Sequence, residues 1–286
     1  MSKDTTFSPI SIVCRKKLHT FSRPAVMGIL NITPDSFYDG GRYVNPESIL
    51  ARAEQIITEG ADIIDIGASS SRPGAQLVEP NEEAARLVPV IKMIRERFPD
   101  SIISVDTCYS IPAEKSIEAG ADIINDISGG QFDDRMIPLV AEMGVPYILM
   151  HTQGKPDHMQ DNPHYDNILQ EVALYFSQRL ERLYRLGARD VILDPGFGFA
   201  KTLDDNYQLF SQLPELKQLF PNEPLLVAVS RKSMIYKLDG TTPQDAMPGT
   251  LVLGSEALRM GAQLLRVHDV KETVQTINVL QKLWNC

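Results

Sequence analysis

Three polar side chains, Asp106, Asn125 and Asp194, each stand at the end of a short apolar run: IISVD, ADIIND and VILD. Two carboxylates and one amide offer mainly acceptors, with one mixed donor and acceptor group. That set suits the edge of a heterocycle with adjacent N–H donors, such as a 2-amino-pyrimidinone. A second group is cationic. Arg266 and His268 alternate around Val267 in LLRVHD, so a strand's period of two aims both side chains to the same face. Arg72 and Lys232 add charge, and Ser230 to Ser233 is expected to open a short helix whose free N–H groups favour an anion. An Arg-x-His pair beside such a helix start points to phosphate or pyrophosphate. The histidines His151, His158 and His164 raise a zinc reading, but no acidic or cysteine partner has ligand spacing. Serine-hydrolase, Walker and dinucleotide signatures are missing as well.

These residues need a scaffold that delivers strand ends to one place. Four segments share a pattern: EGADIIDIG, AGADIINDI, LGARDVILDPG and MGAQLLRVHD. Their glycines, Gly60, Gly120, Gly187 and Gly261, are spaced by 60, 67 and 74 residues. Each glycine reads as a left-handed helix C-cap that turns the chain into a buried strand. Between them lie four more apolar runs, starting at Ala25, Ile102, Val145 and Pro224. Amphipathic stretches separate neighbouring runs, for example Glu47–Glu59, Glu82–Phe98, Tyr165–Leu186 and Lys271–Leu283. Strands that are apolar throughout belong to a parallel sheet covered on both faces. Eight of them alternating with helices predict an α/β protein, a (β/α)8 TIM barrel, over residues 25–286; a doubly wound open sheet is the alternative. Residues 1–24 form an N-terminal extension outside the repeat, and Ile10–Phe21 is expected to be a hairpin covering the barrel bottom. In such barrels chemistry sits where strands end. Here those ends carry Asn31, Asp65, Asp106, Asn125–Asp126, His151, Asp194, Ser230–Lys232 and Arg266–His268.

Composition narrows the partners. The 286 residues are 43% apolar and 23% charged, which is ordinary for a globular protein with a full core. A net charge of −9 disfavours nucleic-acid and acidic-membrane surfaces, while a local cationic cluster can still hold a small anion. No apolar run of about 18 residues exists and no leader opens the chain, so a cytoplasmic protein is expected. Cys14, Cys108 and Cys286 read as reduced thiols.

Eight blocks then carry a family resemblance: GILNITPDSFYDGG, SSSRPGA, SVDT, GADIINDISGG, LMHTQG, DPGFGFAK, SRKSM and RVHDV. In this order and at barrel spacing, they resemble the dihydropteroate synthases over essentially Ala25 to Lys282. The resemblance implies an enzyme of folate biosynthesis, a transferase joining 6-hydroxymethyl-7,8-dihydropterin diphosphate to p-aminobenzoate with release of pyrophosphate, and a sulfonamide target. It implies a pterin site at Asp106, Asn125, Asp194 and Lys232 with Met150 as an apolar wall. Pyrophosphate and Mg²⁺ fall near Asn31, Arg266 and His268, with Asn31 as the metal ligand. The p-aminobenzoate pocket falls on Ser71, Arg72, Pro73, Phe199, Lys232 and the helix start at Ser230. Asp35 and Phe37 belong to a closing loop, and the implied assembly is a homodimer. The second loop departs from the family pattern, with Ser69 in place of a Glu and Ser71 in place of a Thr.

The expected reaction is a dissociative displacement in which pyrophosphate leaves before the aromatic amine attacks. The catalytic set is then Asp106, Asp194, Lys232, Arg266 and His268. A pterin-binding methyltransferase and a non-catalytic pterin-binding paralogue are the alternatives; the first needs neither the Arg-x-His grip nor the DSFYDGG loop, both present here, and the second is expected to lose Asn31, Asp194, Lys232 or Arg266, all of which are kept.

Overall fold

The structure is a computed structural model and describes residues 7–32, 38–39, 43–68, 78–154 and 163–285. Strands β1 (Ile10–Cys14) and β2 (Lys17–Phe21) form an antiparallel hairpin. Barrel strand β3 (Ala25–Asn31) follows, then a two-residue ladder of β4 (Tyr38–Asp39) and β5 (Tyr43–Val44). Helices and barrel strands then alternate: α1 (Pro46–Thr58), β6 (Ile63–Gly67), α2 (Pro80–Arg97), β7 (Ile102–Asp106), α3 (Ser110–Glu118) and β8 (Ile123–Asp126). The pattern continues through α4 (Met136–Met143), β9 (Tyr147–Met150), α5 (Ile168–Arg185) and β10 (Val191–Asp194). Helices α6 (Leu203–Ser211) and α7 (Leu213–Leu219) precede β11 (Leu226–Val227). The chain ends with α8 (Ser233–Tyr236), α9 (Met247–Arg259), β12 (Leu264–Val267) and α10 (Val270–Trp284).

The eight barrel strands are all parallel, in the order β10-β9-β8-β7-β6-β3-β12-β11. A parallel bridge between Leu193 and Leu225 joins the two end strands and closes the ring. The fold is therefore the α/β (β/α)8 barrel, not an open sheet.

The four glycines of the repeat do the turning. Gly60, Gly120, Gly187 and Gly261 have φ of 99°, 112°, 99° and 102°. At each, the glycine N–H bonds three residues back and the following Ala N–H bonds five residues back, as in Ala61 to Ile56 and Ala121 to Ser116. This is the Schellman closure, which satisfies orphan carbonyls and points the chain into the next strand.

Two apolar layers result from strand alternation. Ile64, Ile66, Val105, Leu265 and Val267 pack outward against the helices. Met27, Ile63, Ile102, Ile123, Ile148, Ile192, Leu226 and Leu264 fill the lumen near the strand starts, where Ile10, Ile12 and Cys14 of the hairpin join them. The hairpin thus plugs the barrel bottom, as its sequence suggests. No helix among the described residues is long and apolar enough to cross a membrane.

Candidate active site

Above that apolar floor the lumen-facing positions turn polar. On β6 the inward series runs Ile63, Asp65, Gly67; on β7 it runs Ile102, Ser104, Asp106; on β12 it runs Leu264 then Arg266. Asp106 sits opposite Asn125 in the β7–β8 register, and Asp194 sits opposite Met150 in the β9–β10 register. Asn125 and Asp194 are each 3% exposed, so both acceptors are buried where their strands end. Met150, Phe199 and Ala200 form a small apolar cluster with Ile127 beside them. A flat ring can lie on that cluster while its polar edge meets the acceptors.

Burial sets the charge states. It raises the Asp194 carboxyl above its usual range, against the pull of Lys232 and the Gly196 N–H that bonds Oδ1 at 2.8 Å. Burial pushes Asp106 up to about 7, opposed by Arg266 and helped by Asp65 and Asp126. The Lys232 amine is pushed down to about 8 by burial, with Asp194 holding it up. Lys232 Nζ donates to the Phe197 carbonyl at 2.5 Å and stands 4.6 Å from the Phe199 ring centroid. It therefore joins the acceptor side of the site to its aromatic wall.

Arg266 lies deep in the mouth. Its Nε donates to Asp65 at 2.6 Å and its Nη2 to Asp106 at 2.6 Å. Burial works against its charge, but the two carboxylates overcome that and raise its pKa. The guanidinium is thus held in place by acids instead of standing free as an anion grip. His268 is exposed at the rim, and Ser230 Oγ lies 3.1 Å from its Nδ1. Dense protein on its inner side, then Arg266, push its pKa down to about 4, so the imidazole is neutral at pH 7. Asn31 ends β3 beside Gly67. A Cβ placed on Gly67 would lie 3.5 Å from Asn31 Oδ1 and 3.6 Å from Asp106 Oδ2, so these two oxygens flank one side-chain-free step in the barrel wall.

One expectation needs correction. The helix does not start at Ser230; α8 spans Ser233–Tyr236 and Lys232 is its N-cap. Arg231 adopts φ 55°, its side chain locked on Asp269 through Nε at 2.9 Å and Nη2 at 2.5 Å. That left-handed step delays the helix, and Ser230 Oγ instead accepts the His268 N–H at 3.1 Å. Ser230 is a brace between the ends of β11 and β12.

Other strand-end residues resolve into supports. Asp126 accepts from Ser128 N–H, Gly130 N–H and Tyr147 Oη at 2.6–2.7 Å, anchoring the loop after β8. His151 is buried 4.7 Å from the Tyr175 ring, and burial followed by Lys201 and Arg179 keeps it neutral. His164 pairs with Asp166 at the surface, and His158 lies outside the described residues. Asp35, Phe37, Ser71, Arg72 and Pro73 also lie outside them, as does Ser69.

Two residues have roles that a sequence reading does not assign. Asp65 was only one strand end among many until the register set it against Arg266. Lys201 is 3% exposed, with Nζ 3.0 Å from His151 Nδ1, 3.0 Å from the Gly196 carbonyl and 3.1 Å from the Phe199 carbonyl. It ties the loop that carries Phe199 to the end of β9. In the same loop, a Cβ on Gly196 would lie 2.0 Å from the His151 carbonyl oxygen, and Gly196 has φ 68°. Only glycine fits there.

A closed barrel with acceptors, a flat apolar wall and cations at its C-terminal mouth is a small-molecule enzyme scaffold. The family model described as "Pterin binding enzyme" matches residues 27–268. The dihydropteroate synthase of Escherichia coli K12 is 44% identical over 262 residues, covering 91% of this chain and 92% of that protein. That of Synechocystis is 43% identical over 265 residues, covering 92% and 91%. The crystal structure of Yersinia pestis dihydropteroate synthase in a sulfonamide drug complex aligns with a TM-score of 0.89 at 41% identity, covering 97% of this chain and all of that one. The chain belongs to the dihydropteroate synthase family.

Proposed function

We propose that this chain condenses 6-hydroxymethyl-7,8-dihydropterin diphosphate with p-aminobenzoate, giving 7,8-dihydropteroate and pyrophosphate, at the mouth described above. The observation that carries the reading is the acceptor set of half-buried Asp106 with buried Asn125 and Asp194, beside the Met150–Phe199 wall. A pterin offers the complement: a flat apolar face and an edge of ring N–H and amino donors. Lys232, between Asp194 and Phe199, reaches both the pterin and the p-aminobenzoate side. Phe199 supplies a face for the aromatic amine, and Ser230 holds the rim.

The aromatic amine is neutral and nucleophilic at pH 7, so departure of pyrophosphate is the demanding step. The displacement is dissociative: the methylene C–O bond breaks, the cation delocalises into the pterin ring, and the amine nitrogen closes the new C–N bond and loses a proton. Asp106 and Asp194 orient the ring and stabilise its positive charge. Arg266 supports the charge developing on the leaving group, and neutral His268 donates an N–H to it.

Among the described residues, no three His, Cys, Asp or Glu side chains converge as a metal cage. The residues present fit Mg²⁺ all the same, because that ion takes one or two protein oxygens and fills its shell with water and phosphate oxygens. Asn31 Oδ1 would hold it, and it would supply charge neutralisation on the diphosphate. The proposed working form is a homodimer.

The test is pyrophosphate release by purified protein given the diphosphate and Mg²⁺, with and without p-aminobenzoate, with dihydropteroate measured in parallel. Stoichiometric pyrophosphate and dihydropteroate are expected. Tight pterin binding without either product would overturn the reading.

A further inference from the structure

One level below the acceptor set, β6 and β7 place Asp65 and Ser104 opposite each other in register, both facing the lumen and both 0% exposed. Asp65 Oδ2 accepts from Arg266 Nε at 2.6 Å and from Asn125 Nδ2 at 3.2 Å. Asp65 Oδ1 and Ser104 Oγ are buried with no hydrogen-bond partner among the described residues. A carboxylate buried this completely, with one oxygen unfinished, is expensive to keep in a core. It must serve something other than packing.

Its geometry has a chemical consequence for Asn125. Asp65 Oδ2 accepts from the Arg266 guanidinium, so the Asn125 amide meets that oxygen with its NH₂. The amide oxygen is then left facing the mouth. Asn125 alone is an ambiguous reader, able to meet a donor or an acceptor; held by Asp65 it commits an N–H to the carboxylate and turns its oxygen away from it, toward the mouth. The same carboxylate takes the Nε–H of Arg266 while Asp106 takes an Nη2–H, so the guanidinium is shared between two acids and does not form a two-pronged pair with Asp106 alone.

We propose that Asp65 is a positioning residue that sets substrate specificity: it fixes the Asn125 amide and the Arg266 guanidinium so that the mouth reads a ligand edge made of N–H donors. The inference rests on the pterin reading above and names how that site selects its ring. It predicts discrimination between 6-hydroxymethylpterin and its 2-oxo analogue, in which the exocyclic amine donor has become a carbonyl acceptor.

The experiment compares the full chain with Asp65→Asn, which keeps the shape but removes the charge and lets either amide orientation form. Calorimetry with the two ligands should show the parent preferring the 2-amino ring by about 100-fold, the cost of setting a buried acceptor against another acceptor. In Asp65→Asn the preference should shrink by at least about tenfold. A merely structural role would weaken both ligands together and leave their ratio alone. ¹⁵N spectra of the unliganded parent read the contact without any ligand: the Arg266 Nε–H and Asn125 Nδ2–H₂ signals should exchange slowly with solvent. Asp65→Asn should exchange them roughly tenfold faster. A ratio held within twofold in Asp65→Asn, or fast-exchanging signals in the parent, overturns the proposal. Protected signals in a parent that binds no pterin would instead overturn the functional reading and leave the positioning role standing.

Discussion

At the bottom of the barrel, Asp122 accepts from Arg15 Nε at 2.7 Å, Arg95 Nη2 at 2.6 Å and the Ile103 N–H at 2.8 Å. Arg95 directs its other donors to the carbonyls of Pro99, Ser101 and Gly120, all within 3.0 Å. At the mouth, Arg266 is also clamped by acids at 2.6 Å, yet Asp65 Oδ1 and Ser104 Oγ there have no partner among the described residues, and burial has driven Asp106 up to about 7 and Lys232 down to about 8. Both regions bury an arginine against aspartate. The lower one is closed on itself and on the backbone, so it holds the strand connections. The upper one keeps polar capacity in reserve, which is the state expected of a site waiting for a ligand.

Paired substitutions sharpen that contrast. Arg95→Ala leaves Asp122 buried with a lost partner and should cost about 3–5 kcal/mol in chemical denaturation. Its turnover per folded molecule should stay within twofold; a large loss of turnover would break the division between the two ends. Arg266→Ala should reduce kcat by roughly 10²–10³, read per folded molecule, because it removes the fixed positive charge that supports the departing group. Full activity in that variant would remove Arg266 from the mechanism.

Gly196→Ala comes next. The new methyl collides with the His151 carbonyl at a left-handed position, so a destabilisation of about 1–3 kcal/mol is expected, together with weaker p-aminobenzoate binding as Phe199 shifts. A melting curve and the KM for the amine check both parts. The pH dependence is milder. Lys232 is charged below its pKa, so activity should fall as pH rises through about 8, and Lys232→Arg should move that limb to higher pH even if its rate is lower. An unmoved limb would assign it to another group. The smallest effect is expected at Asn31, where replacement by Ala should raise the Mg²⁺ concentration needed for half-maximal rate by several-fold, since one neutral oxygen is lost from a shell made mostly of water and phosphate.

Much of this was legible in the chain itself. Gly60, Gly120, Gly187 and Gly261 announce four helix-to-strand turns because each closure needs a positive φ and sits before an apolar run. Asp106, Asn125 and Asp194 could be picked out because a period of two makes every strand end predictable. The start of α8 was not, because Arg231 takes a left-handed φ that its residue type does not signal; the cause is its ion pair with Asp269, 38 residues away. The parts played by Asp65, visible only as one strand end, and by Lys201 are hidden for the same kind of reason. Their roles depend on which strand lies alongside and on which carbonyls converge, and neither leaves a mark in local spacing.

The central claim is that the unfinished polar layer at the mouth is a pterin site. Calorimetric titration of 6-hydroxymethylpterin into the parent chain and into Asp194→Asn tests it most directly, because Asp194 is buried at the end of its strand with Oδ1 fixed by the Gly196 N–H at 2.8 Å and Lys232 close enough to hold its charge. One pterin per chain, with affinity lost by about 100-fold in the variant, is the predicted result. Equal affinity in the two proteins would place the pterin elsewhere and contradict the account.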